Sequence, residues 1–110
     1  MNANRLVEFI CHELDEMKAN EVVRLDVRQL TSITDYLVIA SGNSTRHVKA
    51  IADHLVEQSK KAGIMPLGVE GEQAAEWVLV DLGDVIAHIM LPETRDFYQL
   101  EKLWSAPPEN

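Results

Sequence analysis

A chain of 110 residues, 46% apolar and 25% charged, fits one globular domain that needs neither disulfides nor metal to hold its core. Acidic residues outnumber basic ones 18 to 10, for a net charge of −8, and no stripe of Lys or Arg stands out. That disfavours a phosphate-neutralising nucleic-acid binder, with little direct nucleic-acid binding expected, and it favours a basic protein as partner. The single cysteine, Cys11, has no internal partner, so a reducing compartment is expected. No apolar run approaches the ~20 residues of a membrane span, and the opening Met-Asn-Ala-Asn-Arg lacks a signal-peptide core. A cytoplasmic protein with no membrane contact is the expectation.

Leu6, Ile10, Leu14 and Met17 recur at helical spacing, predicting an amphipathic helix from Arg5 to about Lys18 that Ala19-Asn20 ends. Glu21 to Arg28 alternates as a half-buried strand, with Val23, Leu25 and Val27 on one side and a mostly charged set on the other. The unbroken run Tyr36-Leu-Val-Ile-Ala40 suits a central strand buried on both faces. Asn43 or Ser44 can then cap a helix with Val48, Ile51, Ala52, Leu55 and Val56 facing inward, closed by Gly63. Ile64 to Val69 predicts a third strand that Pro66 confines to an edge, and Glu70 to Glu76 predicts a loop.

Two apolar runs flank Gly83-Asp84, a dipeptide suited to a two-residue hairpin loop. Pairing Leu82 with Val85 then pairs Asp81 with Ile86, Leu79 with His88 and Trp77 with Met90. One face reads Val78, Val80, Leu82, Val85, Ala87, Ile89, which is pure core. The other reads Trp77, Leu79, Asp81, Ile86, His88, Met90, too polar for a core and too apolar for water alone. That second face is the candidate working surface. Glu93 to Trp104 predicts a last helix with Phe97, Leu100, Leu103 and Trp104 inward, while Arg95 and Tyr98 share another face. The order αββαβββα implies an α/β fold, a mixed sheet packed by helices, in one domain over 1–105 with a tail at 106–110.

Catalytic constellations are weak. Ser41-Gly42-Asn43-Ser44, at a strand-to-helix turn, could hold a phosphate, but it lacks the glycine signatures of nucleotide loops and reads better as a capped turn. A nucleotidyltransferase using the Ser41-Gly42 turn is the alternative function; its magnesium carboxylates are missing, since Asp81 and Asp84 do not converge in the hairpin register. The four histidines show no metal spacing, and His47 and His54 are expected in solvent. Cys11 reads as packing within its helix. No cofactor and no catalytic residue are expected. Tryptophan, methionine and tyrosine are the types that anchor interfaces.

Thr34-Asp35-Tyr36-Leu-Val-Ile-Ala-Ser-Gly-Asn-Ser44 with Arg46-His47-Val48 resembles the first block of the ribosomal silencing factor, or Iojap-like, family. Glu70-Gly71, Trp77-Val-Leu-Val-Asp81 and Gly83-Asp84-Val-Ile-Ala-His88 resemble the second block, and Arg95, Phe97-Tyr98, Leu100-Glu101 and Leu103-Trp104 the third. The resemblance spans essentially the whole chain. It implies a nucleotidyltransferase-like topology without a transferase site, and a non-enzymatic factor that binds large-subunit ribosomal protein fourteen. Such a factor sterically blocks joining of the ribosomal subunits when nutrients are scarce, and it also acts in late large-subunit assembly. Carried over by position, the partner-facing residues are Trp77, Leu82, Met90 and Tyr98, with Asp81, His88, Arg95 and Glu70 nearby. The family often has valine at Ala87 and commonly an aromatic at Met90. Leu82 is divided, because its spacing assigns it to the core and the resemblance to the partner. Off the ribosome, an exposed apolar face can pair with its own copy, so a homodimer is a third expectation.

Overall fold

The computed structural model describes residues 1–105; the expected tail lies outside them. Helix α1 (Ala3–Glu16) is followed by β1 (Asn20–Asp26), β2 (Tyr36–Ser41), α2 (Thr45–Lys61), β3 (Gly68–Glu70), β4 (Trp77–Asp81), β5 (Val85–Met90), α3 (Pro92–Tyr98) and α4 (Leu100–Ser105). The strands form one mixed sheet in the order β1-β2-β5-β4-β3. Only β2 and β5 pair in parallel; the other neighbours are antiparallel.

Both long helices start where a side chain accepts an otherwise unpaired amide. Asn2 takes the Arg5 N–H and Ser44 takes the His47 N–H. Gly63, at φ +83°, ends α2 while the Ile64 amide bonds back to the Ser59 carbonyl. The apolar stripes Leu6, Val7, Ile10, Leu14 and Val48, Ile51, Ala52, Leu55 pack as expected on Val38, Ala40 and the predicted core face of the hairpin. Each such side chain, fully buried, contributes roughly 1.5–3 kcal/mol. α1 and α2 therefore lie on one side of the sheet. Cys11 is half-buried against this core, as expected, and that burial pushes its thiol pKa up.

Several expectations need correction. The first strand ends at Asp26 rather than Arg28, because Asp26 Oδ1 accepts both the Arg28 amide and its Nε–H, turning the chain. The third strand keeps only Gly68–Glu70; Pro66 has no amide to give, and pairing begins with the Leu67 amide on the Asp81 carbonyl. His47 and His54 are partly buried and bonded rather than free in solvent. His47 accepts the Asn43 amide at Nδ1 and donates from Nε2 to the Met17 carbonyl, while His54 Nε2 lies 2.8 Å from Glu13 Oε1, so both tie α2 to the α1 region. The final helix is two helices. Gln99 adopts left-handed φ 49°, ψ 51°, which breaks the axis and leaves Phe97 and Leu103 exposed instead of inward.

Candidate functional site

Strand alternation gives the sheet a second face, away from α1 and α2. Its rows follow from the ladder register. Glu70, Leu79, His88, Ile39 and Val23 run across the sheet in one row. Trp77, Met90, Ser41 and Asn20 form another, at the end toward α3. The hairpin has the expected register, with the Leu82 amide on the Val85 carbonyl and Gly83 at φ +90° as first loop residue.

Trp77 is the centre of this face. Its Nε1–H donates to His88 Nδ1 at 2.9 Å, and its ring lies 5.0 Å from the Tyr98 ring at a 51° tilt. Tyr98 in turn meets Phe97 edge-on, 4.9 Å between centroids. Such tilted and edge-on arrangements match positive ring edges to negative faces. The ladder grades from buried to exposed, His88 at 8%, Trp77 half-buried, Tyr98 at 56% and Phe97 at 78%. Burial pushes the His88 pKa down to about 4, so the ring is neutral near pH 7. With Nδ1 accepting from Trp77, its proton resides on Nε2.

Backbone and side-chain struts hold this ladder. A Cβ on Gly71 would lie 2.2 Å from the Trp77 carbonyl oxygen, and φ there is +89°, so only glycine lets the preceding loop pass against Trp77. Arg95 is 7% exposed and bonds Glu101 through Nε (3.0 Å) and Nη2 (2.9 Å) and Ser41 Oγ through Nη1 (3.0 Å). The break at Gln99 is what returns Glu101 to Arg95. Beside this strut a cleft of about 690 Å³ opens between Asn20, Asn43, Pro92 and Lys102.

The predicted residues therefore separate. Trp77, His88 and Tyr98 come together. Asp81 accepts the Gly83 amide and shapes the hairpin turn, and Glu70 is exposed on the edge strand of the same face. Met90 is fully buried opposite Trp77, beneath the surface rather than on it. Leu82 belongs to the helix-side core at 6% exposure, as its spacing implied. Arg95 is a buried strut, neither the wet side of a helix nor an open contact. Sequence reasoning missed Phe97 as part of the face, because no glycine or proline marks the break after it.

At the Ser41-Gly42 turn, the Gly42 amide bonds the Met90 carbonyl and the Asn43 amide bonds His47 Nδ1. A Cβ on Gly42 would meet Val48 at 2.9 Å. Two amides of the turn itself are thus engaged, and the turn packs directly on α2. Among the described residues no three His, Cys, Asp or Glu side chains gather as metal ligands, and no helix is long and apolar enough to cross a membrane.

Fold and site define a small acidic α/β domain that presents a graded aromatic face on the side of its sheet away from the two long helices. The family model described as "Ribosomal silencing factor during starvation" matches residues 1–110, and the chain belongs to that family. A Haemophilus influenzae protein named Ribosomal silencing factor RsfS is 49% identical over 100 residues, 91% of this chain and 98% of that one. A crystal structure of a Chromobacterium violaceum protein superposes with a TM-score of 0.94 at 38% identity, covering 99% of this chain and 92% of the other. The mouse protein named Mitochondrial assembly of ribosomal large subunit protein 1 is 39% identical over 90% of this chain, which spans 45% of its length.

Proposed function

We propose that this protein acts on the large ribosomal subunit as a non-enzymatic repressor of translation, by binding large-subunit ribosomal protein fourteen and blocking the small subunit from joining. Family membership supports ribosome-associated repression, and the name of the mouse relative supports a part in large-subunit assembly. A cytoplasmic location is part of this reading. The observation that carries the docking reading is the Phe97–Tyr98–Trp77 ladder, exposed at its outer end and fixed to the sheet at its inner end. Rigid aromatic anchors supply large contact area at small entropic cost. The net charge of −8 adds long-range attraction toward a basic ribosomal protein and speeds encounter. Action is by occupancy, so residence time rather than turnover sets its strength.

Co-sedimentation with purified large ribosomal subunits tests this. Trp77→Ala should bind at least ~30-fold more weakly, the loss of ~2 kcal/mol typical of a central aromatic anchor. Equal binding by a folded Trp77→Ala variant would remove the proposed face. Cross-linking of a probe at Tyr98 to any protein other than the named partner would remove that partner.

A further inference from the structure

We propose that His88 is a positioning residue, whose Nδ1 acceptor holds the Trp77 indole in the one orientation that completes the aromatic ladder. This rests on the docking reading above. Trp77 is the first residue of β4, where the strand emerges from the Gly71–Glu76 loop, and the ladder fixes its backbone but not the orientation of its indole. His88 stands diagonally across the antiparallel pair, two residues before Met90, the direct partner of Trp77. From there the imidazole reaches the indole N–H at 2.9 Å, with ring centroids 5.9 Å apart. A tryptophan side chain has one polar atom, a staggered χ1 and a broad χ2, so one hydrogen bond at Nε1 selects among its rotamers. The ring on the other side of Trp77 is Tyr98, which offers packing but no bond to Nε1 among the described contacts.

His88 itself is ill placed to be a contact. It is 8% exposed, in a row between Leu79 and Ile39, and its Nδ1 is taken by the Trp77 indole. A buried imidazole in an apolar row costs solvation, and an apolar residue there would cost less. What the imidazole supplies is an acceptor on a short rigid arm, aimed at the anchor. The residue therefore acts on the partner through Trp77.

The test uses the full chain labelled with nitrogen-15. Its two indoles, Trp77 and Trp104, give two side-chain N–H resonances, assigned with Trp104→Phe. In His88→Phe the Trp77 indole resonance should move as its acceptor is lost, while the Trp104 resonance stays. Affinity for purified large subunits should fall roughly three- to tenfold, the worth of one hydrogen bond. His88→Asn, whose Oδ1 stands where Nδ1 stood, should restore both the resonance and most of the affinity. In a Trp77→Phe background, His88→Phe should cause no further loss of binding. An unmoved Trp77 resonance in folded His88→Phe overturns the proposal, as does a folded His88→Asn that binds no better than His88→Phe. Wild-type binding by Trp77→Ala overturns the docking reading and with it the purpose assigned to His88, whereas the indole resonance still reports the bond itself.

Discussion

On one face of the β4–β5 hairpin, Val78, Val80, Leu82, Val85, Ala87 and Ile89 are all buried against α1 and α2. On the other, Trp77, Leu79, Asp81 and Ile86 stay half-exposed around a buried His88 and Met90. Both faces come from the same two strands, in the same register, with the same twofold alternation. Their difference is one of cover. Two long amphipathic helices close the first face, and only the short α3–α4 pair reaches the end of the second. The first face holds the fold, and the second presents side chains the fold does not need in that form. A polar pair such as Trp77–His88 is tolerable there because its bond is satisfied internally and its edge stays open.

That contrast can be broken from either side. The largest effect is expected from Ile89→Ala, which empties part of the helix-side core and should cost about 2–5 kcal/mol in urea unfolding. Subunit binding should follow the folded fraction and nothing else.

Acid should act on the other face. The His88 pKa lies near 6.5 when unfolded and about 4 when folded, because burial disfavours the charged ring. Between those values the unfolded chain binds more protons, so stability is complete above pH 6.5 and declines as pH falls toward about 4. The leg is on the order of 3 kcal/mol and should vanish from the stability profile of His88→Phe. Asp26, held near 2 by its hydrogen bonds from Arg28, titrates below this window and should leave the leg intact.

Gly71→Ala comes next. Its side chain would collide with the Trp77 carbonyl at positive φ, so a loss of about 1–3 kcal/mol is expected. The Trp77 indole resonance should shift with it, which couples a loop residue to the open face. Smallest of all, Phe97→Ala should leave the unfolding midpoint within ~0.5 kcal/mol of wild type, since the ring is 78% exposed. If subunit binding weakens in this variant, the docking surface extends past Tyr98; if binding is unchanged, the surface ends there.

Much of this was legible in the chain itself. Helix stripes, caps, the Gly83 turn and the hairpin register depend on local periodicity and on residues with special backbone freedom, so the sequence by itself determined them. It also determined that the hairpin has one clean face and one mixed face, and it put Leu82 on the clean one. The tertiary structure alone decided the rest. The break at Gln99 carries no local signal, since an ordinary residue takes a left-handed conformation there. It is compatible with the Arg95–Glu101 pair, which forms as α4 folds back toward β1. That break turned Phe97 from an expected core residue into the exposed end of the aromatic ladder. Likewise, no spacing rule joins His88 to the Trp77 indole, or His47 and His54 to α1, because such bonds depend on side-chain reach across elements. Periodicity says which way a residue points; what it meets there is set by the packing of the whole chain.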